Sequence, residues 1–514
     1  MKIYKFTLLA LLMVASFSCE DVLKVEPRQS IESSTALNSR DNILAATNSP
    51  YARLRALSSY GRNLIAFPEA LSDNGQATNN SGRLIGEYQN LPGSTFNNWQ
   101  NDYFAINEIN LVLAALQDET VSPPLSATDK TRIEGEMKFL RALYYFNLVR
   151  VYAYDPGVSV GASDRGGVPI TTTGYLRAED ALAFLPSRAP VADVYTLIYA
   201  DLQTAIANLG NAVGRAPIYA TKAAAQALLS RVALYNKDYA TVVTNATEAF
   251  NTLGVGAFLS GNEYVSGWRA LSNPESMFEV RFAVAAENIG VNESLQSSFT
   301  TIRSLDNLRN ANGTLNTSSN TGGWGDLRPN AQLRGLLGVT TAGSGTGANP
   351  PIAIVRGADI RGSLYEVGPG RGAGAGIECI KFLGKTGTLY MDNVPVIRKS
   401  EMLLNRAEAY ATAGSPVFDE DLARADLNQL LVARGLAAVD DTLVGSDLYE
   451  AILAQRRIEL AFEGHRWFDL KRLGRDIPKP VTGGLIAYTD FRLLANIPTR
   501  EIDGNANLEQ NPGY

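Results

Sequence analysis

Apolar residues at Ile133, Met137, Leu140, Tyr144, Leu148 and Val151 return every three or four positions. That spacing gives one buried stripe on an α-helix and suits no strand. The helix is expected over about 129–153, and Asp155-Pro156-Gly157 stops it. The same period recurs over about 31–59, from Trp99 through Tyr103, Ile106, Ile109, Asn110 and Leu113, and over about 191–209, 221–236, 238–253, 395–413, 419–434 and 447–473. Within the 221–236 and 238–253 pair, Thr221 suits an N-cap. Ala223, Ala224, Ala225 and Ala227 let a second helix approach closely, and Asn236-Lys237-Asp238 makes the turn. Small residues on paired antiparallel helices point to tetratricopeptide-like units, although no clean period of about 34 residues is present.

Between the helical stretches the chemistry changes. Residues 72–98 are rich in Asn, Gly and Ser, residues 156–189 read as irregular, and residues 255–392 carry glycine clusters at Gly343–Gly347 and Gly368–Gly376. Met277-Phe278-Glu279-Val280 and Ile352-Ala353-Ile354-Val355 are the short extended segments among them. Long loops on a rigid helical frame are where binding usually resides.

The N-terminus reads as an export signal. Lys2 and Lys5 form a positive head, and Phe6 to Phe17 is an apolar run too short for the roughly 20 residues of a membrane span. Cys19 follows Ser16-Phe17-Ser18, so cleavage after residue 18 would leave Cys19 as an acylated first residue, loosely like a bacterial lipobox. The expected organisation is a signal peptide at 1–18, a lipidated tether at 19–30 and one domain over 31–514. That domain divides into an N-terminal region to about 254, a loop-rich region to about 392 and a helical C-terminal region. The other cysteine, Cys379, then has no partner and is expected to be a buried small hydrophobe.

Composition excludes several functions. A net charge of −6 over 514 residues argues against a nucleic-acid binder. One histidine, His465, leaves little acid–base or metal-ligating capacity, so no cofactor, metal or catalysis is expected. Cys379 to Thr386 (CIKFLGKT) lacks the first glycine of a phosphate-binding loop. Arg456, Glu459, Glu463 and Arg466 fall at helical spacing. Glu459 and Glu463 resemble a glycosidase pair, but the interleaved arginines should keep both ionised, and the expected role is an ion-pair network supporting packing. His465 beside them is expected to cap or pack.

Four segments resemble one family. They are Gly135-Glu136-Met137-Lys138-Phe139-Leu140-Arg141-Ala142 running on to Tyr144-Tyr145-Phe146, the Ala-rich helix from Thr221 to Tyr235, Val396-Ile397-Arg398 on to Asn405-Arg406-Ala407-Glu408-Ala409, and Arg456-Arg457-Ile458-Glu459-Leu460 on to Glu463-Gly464-His465-Arg466-Trp467-Phe468-Asp469-Leu470. With the closing Asn511-Pro512-Gly513-Tyr514, they are similar to the SusD/RagB family of outer-membrane nutrient-binding lipoproteins. Asp155 to Gly167 departs from the family as an insertion before Val168-Pro169. The resemblance implies a mainly α fold with four tetratricopeptide-like helix pairs supporting a loop-rich half with a few short strands. It also implies a TonB-dependent (SusC-like) outer-membrane barrel as partner, surface exposure on the outer membrane, and an oligosaccharide or oligopeptide ligand. A surface glycoside hydrolase is the weaker alternative.

The ligand is expected on the loops around 73–90 and 287–370. Trp324, flanked by glycines, is the aromatic platform, with Tyr88 second and Asp73, Asn74, Arg328 and Tyr365 as neighbours. Trp99, Trp268 and Trp467 are expected in the core. The lipid is the only attachment visible in the sequence, so Cys19→Ala should give a folded but unanchored protein. Fractionation with acyl labelling, in cells lacking any partner barrel, checks this: the variant should leave the membrane fraction.

Overall fold

The computed structural model describes residues 36–210, 215–253, 258–317, 322–343, 352–479 and 482–514. The expected signal peptide, the expected tether and Cys19 lie outside them. Eight long helices set the architecture: α1 (Trp99–Ala115), α2 (Ala127–Tyr152), α3 (Val191–Asn208), α4 (Lys222–Tyr235), α5 (Tyr239–Leu253), α6 (Lys399–Ala411), α7 (Glu420–Ala433) and α8 (Gly445–Glu459). They pack in succession, most closely α2 on α3, α4 on α5 (the pair expected over 221–253) and α6 on α7, with α1 against α2 and α8 against α6, which makes one continuous array of helix pairs. The fold is mainly α, as the periodicity predicts.

Local signals account for where the helices start. Ser126 caps α2 by accepting from the Asp129 amide, and Thr221 caps α4 by accepting from Ala224. From Phe139 to Tyr152, α2 is buried on every side, so it forms the centre of the array rather than one face of it. Ala223, Ala224, Ala225 and Ala227 are all buried where α4 meets its neighbours.

The loop-rich half leaves the array after α5 and returns at α6. Its strands are β2 (Ser276–Val280), β3 (Leu327–Pro329), β4 (Val339–Ala342), β5 (Ala353–Arg356), β6 (Tyr365–Gly368), β7 (Gly376–Cys379) and β8 (Val394–Arg398). Outside it lie β1 (Gly75–Ala77), β9 (Ile477–Lys479) and β10 (Gly484–Ile486). All pair antiparallel in two-stranded ladders. β2 with β8 closes the excursion at its base, and β1 with β3 ties it to the N-terminal region. The helix expected from 395 begins only at Lys399, because Val394, Val396 and Ile397 are drawn into the ladder with β2. The N-terminal helical stretch is likewise two short helices, Arg40–Ala46 and Asn48–Arg53, followed by an irregular turn.

The largest departure from the sequence reading is at 447–473. One helix is expected there. α8 instead ends at Glu459, and a seven-residue helix, α9 (Arg466–Arg472), starts after a break in which Phe462 and Gly464 take φ of +64° and +84°. Gly464 is required, since a Cβ there would strike the carbonyl oxygen of Leu64. The charged residues therefore do not pair along one helical face. Arg456 pairs with Asp469 (2.9 Å), Arg466 with Asp73 (2.7 Å), and Glu463 with Lys381 (2.6 Å) and Arg398 (2.7 Å). Glu459 accepts from Arg398 (3.1 Å) and Arg434 (2.9 Å). The network is structural as expected, but tertiary rather than helical. His465 is buried and makes no cap bond, so it packs. Burial and the surrounding arginines hold it neutral, well below its ordinary pKa.

Replacing Glu459 with Gln leaves Arg398 and Arg434 short of a buried counter-charge, which should cost about 3–5 kcal/mol of stability. Chemical denaturation checks this, with ligand affinity unchanged. A second carboxyl gives a pH signature. Glu69 is fully buried, and burial pushes it up to about 7 although Asn74 and Gly464 donate to it. Between its ordinary value near 4.5 and about 7, the folded protein keeps a proton that the unfolded chain has released. Stability should therefore fall as pH rises through that window, by up to about 3 kcal/mol from this group. Glu69→Gln should flatten that slope in thermal melts across the window.

Candidate ligand-binding site

Trp324 sits where four chain segments converge, and each supplies a hydrogen bond. Its amide donates to the Ser297 carbonyl (3.0 Å), and its indole N–H donates to Asn292 Oδ1 (3.2 Å). Its carbonyl accepts from Asn80 Nδ2 (2.8 Å), while Asn80 Oδ1 accepts from the Ala373 amide (2.8 Å). The Arg371 guanidinium lies 4.2 Å from the indole ring and donates to the Gly323 carbonyl (2.8 Å). Gly323 allows the close approach, since a Cβ there would collide with the Ser297 backbone. The indole is half-buried and fixed at several points, while Arg371 and Asn292 around it are exposed.

Buried polar groups hold this convergence from below. Glu378, on β7, is fully buried and accepts from Thr300 Oγ1 (2.9 Å), the Thr301 amide (2.6 Å) and Arg328 Nη2 (2.9 Å). Arg328 also donates to the Gly374 carbonyl (2.7 Å). It therefore ties β3 to the 370s loop under Trp324. Ser81 Oγ donates to Asp326 Oδ1 (2.7 Å), and Thr78 joins the same turn through the Asp326 and Gly325 carbonyls.

The other expected site residues lie elsewhere. Tyr88 is half-buried, but the Lys479 ammonium sits 5.1 Å over its ring. That ammonium also donates to the carbonyls of Ala70, Leu71 and Ser72, so Tyr88 packs on the β9–β10 hairpin. Asp73 and Asn74 are buried rather than facing a ligand. Arg466 holds Asp73 in a two-point pair (2.7 and 2.9 Å), and Arg457 donates to Asn74 Oδ1 (2.8 Å). Burial alone would raise the Asp73 pKa, but the Arg466 and Arg457 charges outweigh it and hold the carboxyl below its ordinary value. Tyr365 is buried on β6, its ring against Phe462. These three residues serve the scaffold. Asn292, Asn80 and Arg371 take their place beside Trp324. Asn80 falls in the Asn-rich 72–98 segment, Asn292 in the expected 287–370 loops and Arg371 within the Gly368–Gly376 cluster, but no local pattern singles out any of the three.

A second concavity, about 500 Å³, lies on the helical half. Trp99, Tyr103, Phe104, Leu182, Phe184 and Leu185 line much of it, and Leu182 is 76% and Phe104 48% exposed. Exposed apolar surface of this kind is typical of contact with another macromolecule. Catalytic chemistry finds no support in the acidic pair. Glu459 and Glu463 each face arginine or lysine, and the arginines keep Glu459 ionised, well below its ordinary pKa despite full burial. Cys379 is buried and pushed up to about 12, an inert thiol. Among the described residues no group of side chains could hold a metal ion, and no helix is long and apolar enough to cross a membrane.

Residues 381–514 match the SusD family, and residues 23–234 match a family described as starch-binding associating with outer membrane. A SusD-like protein of Formosa agariphila is 24% identical over 531 aligned positions, covering 97% of this chain and 96% of its own. Among solved structures, a SusD superfamily protein from Bacteroides thetaiotaomicron superposes with a TM-score of 0.74 at 25% identity, covering 92% of this chain and 100% of that one. A laminarin-binding SusD-like protein superposes with a TM-score of 0.67 at 23% identity, covering 93% of this chain and 100% of its own.

Proposed function

Since the chain belongs to the SusD family, we propose that it is a lipid-anchored surface protein that captures a glycan on the Trp324 loops and passes it to a TonB-dependent outer-membrane barrel. The observation that carries the capture step is Trp324 itself, a half-exposed indole fixed by Asn292, Ser297 and Asn80 and ringed by polar groups. A sugar offers an apolar C–H face and a rim of hydroxyls. An indole covers the face while Asn and Arg bond the rim. Pre-fixing the ring lowers the ordering cost of binding. The starch-binding description of one matching family and the laminarin-binding structural relative support a glycan over a peptide.

The delivery step needs a protein partner. The exposed apolar groove around Phe104 and Leu182, which none of the Trp324 loop residues lines, supports one. Association with the outer membrane fits the family description, and Cys19 supplies the proposed anchor. No chemistry on the ligand is assigned to this chain.

Calorimetry with a panel of neutral and acidic oligosaccharides and oligopeptides tests the reading. Trp324→Ala should weaken the best glycan by about thirtyfold, the usual consequence of removing a central aromatic anchor. Tyr88→Ala, whose ring is engaged by Lys479, should leave it nearly unchanged. A Trp324→Ala variant that keeps wild-type glycan affinity overturns the site.

A further inference from the structure

Beside the Trp324 loop lies a cavity of about 390 Å³ whose walls include Arg269, Arg303, Lys385, Asp306, Leu305 and Leu389. It shares its frame with the platform. The Gly322 amide donates to the Thr301 carbonyl (2.7 Å), and a Cβ on Gly322 would press on the Arg303 backbone. Tyr390, just beyond the cavity wall at Leu389, donates its hydroxyl to the Gly322 carbonyl (3.0 Å). Only Gly323 separates Gly322 from Trp324, and the two steps of chain span at most about 7 Å. One oligosaccharide can therefore reach both the platform and the cavity.

The charge in this region is unevenly matched. Nearby arginines are neutralised: Arg328 by Glu378, and Arg309 and Arg356 by Glu366. Arg303 and Arg371 are exposed and, among the described residues, belong to no ion pair. Arg269 donates one nitrogen to the Ile380 carbonyl, but its Nε and Nη2 are buried without an acceptor. An ionised donor left in that state is costly, and an incoming anion would offset the cost. Asp306 is the one exposed acid among these wall residues.

The stretch that resembles a phosphate-binding loop explains a further part. The amides of Leu383, Gly384 and Lys385 wrap the Asp392 carboxylate at 3.1–3.3 Å. An internal carboxylate fills the backbone cradle, so no phosphate enters there, and Asp392 is not free to neutralise Arg303 or Arg371.

We propose that the captured ligand is an anionic glycan, with one sugar ring on Trp324 and a carboxylate or sulfate substituent held in the adjoining cavity by Arg303 and Arg269. This rests on Trp324 being the glycan platform. The anionic group pairs with the exposed Arg303 charge and gives an acceptor to the Arg269 nitrogens that lack one, and Arg371 on the indole extends the same positive strip. The protein carries a net charge of −6, so this strip is a local exception and draws acidic chains to one face.

Affinity measured on the full mature chain tests the proposal with three probes: laminari-oligosaccharides (neutral), oligogalacturonates (carboxylate) and carrageenan oligosaccharides (sulfate). At least one acidic probe should bind at least tenfold more tightly than the neutral one, and added salt should erode that advantage. The carboxylate and sulfate arms identify the substituent. Arg303→Gln, at an exposed position, should keep the fold and lose about tenfold for the acidic probe only. Arg303→Glu should lose more, and Arg303→Lys should restore part. Neutral laminari-oligosaccharides that bind as tightly as both acidic probes and depend on Trp324 but not on Arg303 would overturn the anionic assignment and leave the platform standing. Absence of any Trp324-dependent glycan binding would overturn both.

Discussion

Everything in the loop-rich half is hung from one buried cluster of charge. Arg398 closes the β2–β8 ladder and reaches Glu275 (3.0 Å), Glu459 (3.1 Å) and Glu463 (2.7 Å). Arg434, just past α7, reaches Glu275 (3.1 Å) and Glu459 (2.9 Å). The cluster joins the start of the excursion, its end, and the tails of two helices. Taking so many charges from water is expensive, and each faces its opposite at hydrogen-bonding distance. Trp268 lies 5.2 Å from the Arg398 guanidinium and Tyr264 lies 4.0 Å from that of Arg434, so aromatic faces complete the shell. Geometry this demanding tolerates few arrangements, and it fixes where the loops leave the scaffold.

From that base, a second buried carboxylate carries rigidity outward. Glu378 gathers Thr300, Thr301 and Arg328, and Thr301 Oγ1 in turn accepts from the Gly370 amide (3.0 Å). The 300s, the 320s and the 370s loops are thus pinned to one point on β7. Trp324 stands above it with its ring orientation set before any ligand arrives. Long loops usually bring ordering cost to binding, and this arrangement removes much of it.

The helices were legible because burial along a helix leaves a local period, as in Ile133 to Val151. The break between α8 and α9 was not, because its cause is distant: Gly464 is required by the backbone of Leu64, and the charges after it face Asp73, Lys381 and Arg398. The same distance hid the fate of Asp73 and Asn74. Asp73-Asn74-Gly75 has the composition of a surface turn, yet arginines from the far end of the chain cover it. Trp324 is legible as a candidate because glycines on both sides mark a backbone that packs closely and presents one large side chain. Asn292 and Arg371 are not, since what makes them candidates is only their meeting with that indole.

Scaffold and site use the same residue types in opposite ways. In the scaffold many arginines are matched: Arg231 with Glu401, Arg472 with Glu408 and Asp469, and Arg141 with Asp201, all buried. Removing either partner there strands a charge, so these positions serve stability and are closed to a ligand. On the Trp324 face, Arg303 and Arg371 are left unmatched at the surface. Stability does not require that arrangement, because a surface ion pair contributes little. What unpaired surface charge does provide is attraction and orientation for a partner that carries the opposite sign. In the proposed reading, polar residues on this chain divide between those that lock the frame and those that stand at its edge for a glycan on the indole.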